Sequence, residues 1–149
     1  MSDTTSNPGK PRALVGWRLL ALFYDFWPMF AVWMVVGAVF VAAHGDVVRG
    51  GWLGFLELIV LWLVTGLYVT YSWRYGGQTL GMRPWRLRVT THESQEMTWK
   101  ALWLRYAIGN LSLLLGGMGF WWAWFDRNGL TWHDRISNTR TLRIPKAKP

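Results

Sequence analysis

Long apolar runs alternate along this chain with short polar, glycine-rich segments. The first run, Trp17 to Val41 (WRLLALFYDFWPMFAVWMVVGAVFV), exceeds the ~20 apolar residues that a bilayer crossing needs. The second, Trp52 to Trp73 (WLGFLELIVLWLVTGLYVTYSW), has aromatic residues at both ends, where their rings anchor at the membrane–water interface. The third, Ala101 to Phe125, is interrupted by Arg105, Asn110 and the Gly116-Gly117-Met118-Gly119 cluster. The pattern predicts an all-α integral membrane protein. It has two full transmembrane helices and a third apolar stretch broken at Gly116–Gly119, which is either a single span or a helical hairpin. Residues 1–16 are polar and read as a disordered cytoplasmic tail, 17–142 as one membrane domain, and 143–149 as a basic tail. A cleaved signal peptide fits the first run less well than a retained span. The run is longer than the 7–15 residues of a signal core, and it contains Asp25 and Pro28.

Between the second and third runs, Gly76, Gly77, Gly81 and Pro84 oppose a continuous helix. Arg86-Leu87-Arg88-Val89-Thr90 alternates polar and apolar residues with the period of a strand, and His92–Gln95 is placed to turn the chain back. Thr139 to Ile144 alternates as well. These segments predict a small β-ribbon on the membrane surface.

The basic residues set an orientation, because cytoplasmic loops carry the excess of Lys and Arg. Lys10, Arg12 and Arg18 lie at the start, and only Arg49 lies in the 44–51 loop. The 74–100 loop holds Arg74, Arg83, Arg86, Arg88 and Lys100, and the C-terminal tail is also basic. The N-terminus, the long loop and the C-terminal tail therefore belong on the cytoplasmic side. Three simple crossings would leave the tail outside. A hairpin at the glycines removes the conflict and lets the two alternating segments pair on one side.

Composition agrees with this picture. Hydrophobic residues make up 52% and charged residues 16%, against about 25% charged in soluble domains, and there are 13 Trp. The net charge of +8 resides in loops between apolar runs, which is a membrane pattern and not a nucleic-acid-binding one. The chain has no cysteine, so disulfides, thiolate catalysis and cysteine-based metal sites are excluded. No nucleophile, metal or cofactor constellation emerges, and the chain is expected not to be an enzyme and to need no cofactor.

Candidate chemistry comes from polar residues inside the apolar runs, where a carboxylate at the bilayer centre costs ~2.5–3.5 kcal/mol or more. Arg18 and Asp25 are seven residues apart and share a helix face, about 10 Å apart along the axis. Pro28 frees a backbone carbonyl beside Asp25. Arg105 enters from the same side, either to pair with Asp25 or to extend to the head groups. Asp25 thus reads as the hub of a cytoplasmic-side Arg/Asp cluster. Glu57 lies toward the outer face as a rim carboxylate, while Asn110 and Ser112 offer interhelical hydrogen bonds. In Trp132-His133-Asp134-Arg135, Asp134 caps a turn or pairs with an arginine. The three histidines, His44, His92 and His133, are scattered and argue against a metal site.

Taken together, these residues resemble the RDD family of small membrane proteins. The family arginine and first aspartate match Arg18 and Asp25 in RLLALFYD, and the second aspartate matches Asp134 in LTWHDRISNTR. The stretch GGQTLGMRPWRLRV is similar to the family's Gly-x-Thr-x-Gly-Lys loop and following strand, with Met82 where Lys is frequent. Arg105 matches an arginine at the head of the next apolar stretch, and Asn138 stands where Gly is usual. The resemblance extends from Val15 to Leu142. It strengthens the reading as a polytopic membrane protein, expected in a bacterial inner membrane, with the cytoplasmic N-terminus that the basic residues set. Transport has been suggested for the family, and some members are linked to sodium/proton exchange.

Two functions are therefore expected. In the first, Arg18, Asp25, Arg105 and Asp134 form a buried network with a structural or assembly role, and the partners are lipid and either a second copy or another membrane protein. In the second, an oligomer moves an ion or small solute using Asp25.

Overall fold

Val15–His44 forms one helix, α1, of 30 residues in the computed structural model, which describes residues 14–47, 50–91 and 96–145. The helix continues through Pro28 and stops at Gly45, whose φ of 83° is the left-handed conformation that ends helices. α2, Gly51–Gly76, has 26 residues and ends the same way at Gly77, with φ 67° and its N–H on the Trp73 carbonyl. Both helices are long and apolar enough to cross a bilayer, with mean hydropathies of 2.0 and 1.9 over their best windows. Large side chains such as Phe23, Trp27, Phe55 and Leu58 stay exposed on them. Such surfaces suit lipid, which needs no polar cover.

The third apolar stretch is divided. α3, Trp99–Leu114, starts at Thr98, whose side chain accepts from the Ala101 N–H. Gly116 and Gly117 then adopt φ of 68° and 78°, values that side chains with a Cβ avoid. The Gly117 N–H turns back to the Ser112 carbonyl at 2.7 Å. α4, Met118–Phe125, returns along α3 until Phe120 and Ala123 pack against Val15 at the start of α1. The break therefore lies at the first two glycines of the cluster. Gly119 sits inside α4, where its lack of a side chain makes room for Ser112 and Trp132.

A short helix, α5 (Trp132–Ile136), precedes the last strand. β1 (Leu87–Thr91) and β2 (Thr139–Arg143) pair antiparallel, with Val89 opposite Thr141. The pairing brings the chain's last strand to the end of the fold where α2 exits. Leu87 and Val89 face inward onto Ala21 and Met82, with Trp17, Trp73, Trp85 and Met97 around them. This small core joins the ribbon to the first turns of α1 and the last turn of α2. α1 begins two residues before the boundary expected for the N-terminal tail. The rest of that tail, the His92–Gln95 turn and the end of the basic tail lie outside the described residues.

Candidate functional site

Three of the four ion pairs among the described residues involve α5. Thr131 and Asp134 form a reciprocal capping box, in which Thr131 Oγ1 accepts from the Asp134 N–H and Asp134 Oδ2 accepts from the Thr131 N–H. The same carboxylate binds two arginines. Arg105 Nη1 of α3 lies 2.5 Å from Oδ1, and Arg18 Nη1 of α1 lies 2.6 Å from Oδ2. Thr139 and Thr141 of β2 accept from Arg105 at 2.6 and 2.8 Å, and Thr131 accepts from Arg18 at 3.0 Å. Arg105 also lies over the Trp73 ring, 5.2 Å from its centroid. Burial alone would raise the Asp134 carboxyl, but Arg105 and Arg18 outweigh it and hold the group well below the usual carboxylate range. Asp134 is therefore the ionised centre of the cluster, with an exposure of 1%.

Asp25 is not that hub. Among the described residues its carboxylate makes no ion pair with either arginine. Thr79 Oγ1 donates to Oδ2, and the Gly81 N–H donates to Oδ1 at 2.8 Å. The Tyr68 hydroxyl, which accepts from the Leu80 N–H at 3.2 Å, also bonds Asp25. The physical reason is register. Arg18 and Asp25 do share a face of α1, but two different segments lie against that face, α5 near its start and the loop after α2 a turn or two further along. A Cβ on Gly81 would run into the Ala21 carbonyl and the Asp25 carboxylate, so only glycine allows this approach. The structure thus brings Arg18, Arg105 and Asp134 together and holds Asp25 in a separate hydrogen-bonded cradle.

The secondary candidates scatter. Glu57 sits near Gly37, at the opposite end of α1 from Arg18. Asn110 donates to the carbonyl of Tyr106 one turn back at 2.8 Å, so its amide serves its own helix. The His133 ring packs against Phe120 at a 58° tilt with centroids 4.8 Å apart, and its Nδ1 is buried without a partner among the described residues. Burial, then the charge of Arg105, pushes the His133 imidazole well below its ordinary range and keeps it neutral. Arg18, Asp25, Arg105 and His133 all line one cavity of about 440 Å³ between the helices.

A family model of the RDD family matches residues 12–138, a range that contains Arg18, both aspartates and the loop that cradles Asp25. The chain belongs to the RDD family. No curated protein and no solved structure gives a match.

Within this RDD domain, the two departures from the expected motifs have local explanations. Met82 is buried in the ribbon core, and its sulfur accepts from Trp73 Nε1 at 3.4 Å. Asn138 has φ 52°, a left-handed position that Asn tolerates better than most residues and Gly best. The threonines that complete the arginine shells, and Thr79 and Gly81 around Asp25, were not among the site residues expected from sequence. The signal for the latter pair is the Gly-x-Thr-x-Gly spacing at Gly77, Thr79 and Gly81.

Proposed function

We propose that this RDD protein is an integral membrane protein with a structural or assembly role, and that Asp134 is the lock that closes its membrane domain. The observation that carries the reading is one buried carboxylate shared by Arg18 and Arg105. It ties the first turn of α1, the second turn of α3, α5 and the ribbon into a single unit. Two guanidiniums from different helices on one buried carboxylate fix the geometry between those helices. The apolar faces of α1 and α2 are left for lipid and for neighbouring helices, from a second copy or another membrane protein. The basic residues at that end support an orientation with the start of α1 and the ribbon on the cytoplasmic side. Crosslinking in intact membranes, followed by purification, tests the role. A discrete homo-oligomer or stable partner complex is expected, and a protein that crosslinks only to itself at random, with no defined species, would sink it.

Transport is the second reading, favoured by the position of Asp25 on the cavity wall, away from both arginines. A cation flux into proteoliposomes that disappears in Asp25→Asn would support it. Flux equal in the variant, or no flux at all, would remove Asp25 from such a role.

A further inference from the structure

At the start of α1, three arginines surround an aromatic platform on the surface. Arg83 to Arg86 is a tight turn, closed by the Arg86 N–H on the Arg83 carbonyl at 3.0 Å. The Trp85 ring of this turn packs against Trp17 and Tyr24 of α1, with centroids 5.0 and 5.7 Å away. β2 adds Arg143, whose guanidinium lies over the Trp17 ring, 4.2 Å from its centroid. The Ile144 N–H donates to the Arg86 carbonyl at 2.8 Å, so the end of β2 and the turn are held side by side. Arg83 and Arg143 are exposed, and Arg86 is half-buried. None of the three forms an ion pair among the described residues. Asp25, the nearest carboxylate along α1, takes its donors from Thr79 and Gly81 instead.

The platform continues into an apolar stripe. Trp17, Leu20, Tyr24 and Trp27 recur at helical spacing on one face of α1, and the last three are exposed. The stripe is about 15 Å long at 1.5 Å per residue. The whole of α1 is about 45 Å long, more than the ~30 Å hydrocarbon layer, so its ends extend to the head groups. The arginines thus stand at head-group depth, and the stripe runs from them toward the hydrocarbon. Trp and Tyr rings favour that boundary. Guanidinium suits phosphate because its planar fork donates two parallel N–H groups. Three cations without a counter-charge favour an anionic head over a zwitterionic one, which would bring its own ammonium among them. An acidic peptide from the cytoplasm would satisfy the charge but leave the stripe uncovered, whereas an amphiphile covers both.

We infer that this patch binds an anionic phospholipid of the bilayer, with the phosphate on Arg83, Arg86 and Arg143 and an acyl chain along Leu20, Tyr24 and Trp27. The inference rests on the membrane reading of the domain and not on its assembly role. Carbonate-resistant sedimentation of the full chain with membranes tests that reading alone, so the failure of one is told apart from the failure of the other.

The test is native mass spectrometry of the full chain, purified in maltoside detergent and offered phosphatidylglycerol, phosphatidylcholine with the same acyl chains, glycerol 3-phosphate or hexaglutamate at equal concentration. Phosphatidylglycerol is expected to be retained one-to-one, ahead of the other three. The double variant Arg83→Gln with Arg143→Gln removes two exposed charges of the patch and is expected to weaken that retention about tenfold or more. Lys100→Gln with Arg127→Gln removes two exposed charges from other elements and is expected to leave it within about twofold of the parent. Melting temperatures in detergent show that the variants fold, and the single variant Arg83→Gln carries the test if the double one does not. Equal retention of the two lipids, retention of glycerol 3-phosphate or hexaglutamate at the level of phosphatidylglycerol, or equal losses in the two double variants would overturn the proposal.

Discussion

Arg105 and Asp134 are 29 residues apart in the chain and meet at 2.5 Å, both of them buried. Their contact crosses from α3 to α5, and the same carboxylate reaches Arg18 at the start of α1. The polar cluster is therefore assembled by the return of the chain after Gly117. α4 brings the backbone back toward Val15, α5 presents Asp134, and β2 supplies Thr139 and Thr141 to the guanidinium of Arg105. The sequence neighbours of Asp134 do local work as well, since Thr131 uses it to cap α5.

Removal of the shared carboxylate leaves two buried guanidiniums without a counter-charge. Asp134→Asn is expected to cost about 3–5 kcal/mol, the range for breaking a buried ion pair from one side. The readouts are thermal melting in detergent and steady-state abundance. A triple variant, Arg18→Met, Asp134→Leu and Arg105→Met, removes the charges together and is expected to melt higher than Asp134→Asn alone. If the single variant melts like the parent, the network does not hold the fold.

Two groups of α5 make stability depend on pH, with signs set by their depressed pKa values. His133 is neutral in the fold and protonates below about 6.5 when unfolded, so the unfolded chain binds a proton that the folded one refuses. Stability is complete above that pH and falls as pH drops below it. Asp134 adds stability that is complete above about pH 4 and declines below it, because the unfolded carboxyl protonates first. Melting curves between pH 5 and 7 should therefore slope for the parent by up to about 1.4 kcal/mol per pH unit. His133→Phe should flatten that slope, and identical slopes would assign the pH response to other groups.

Much of the fold is legible in the sequence. The two long helices follow from the lengths of their apolar runs. The ribbon follows from the alternation at Arg86–Thr90 and Thr139–Ile144, and the division of the third stretch from its glycines. The site is legible only in part. Helical spacing puts Arg18 and Asp25 on one face, but it carries no information about what lies across from that face. Asp25 meets Thr79 and Gly81, more than 50 residues away, and Arg18 meets Thr131, 113 residues away. Asp134 was expected to cap a turn or to pair with an arginine, and it does both: Oδ2 accepts from the Thr131 N–H and from Arg18, and Oδ1 from Arg105.

Gly81 tests the separate cradle of Asp25. A methyl group there would strike the Ala21 carbonyl and the Asp25 carboxylate, both held by the rigid backbone of α1. Gly81→Ala should cost about 1–3 kcal/mol, as overpacking of an ordered contact does. Gly76→Ala is the matched control, since a Cβ there meets nothing within 4 Å. Equal melting temperatures for the two variants would show that the loop moves away from α1 at no cost.

The turn at Gly116 and Gly117 sends the chain back toward the start of α1. Both residues hold left-handed φ, which costs a residue with a Cβ about 1–2 kcal/mol, so leucines at both positions favour a continuous helix from α3 into α4. A continuous helix would carry Asp134 away from Arg18 and Arg105 and separate β2 from β1. The parent, fused at its C-terminus to a reporter active only in the cytoplasm, is expected to give signal. Gly116→Leu with Gly117→Leu is expected to lose it, through either an inverted tail or degraded protein, and blotting separates the two. Retention of full signal at parental abundance would mean that the network and the ribbon, not the glycines, direct the chain back.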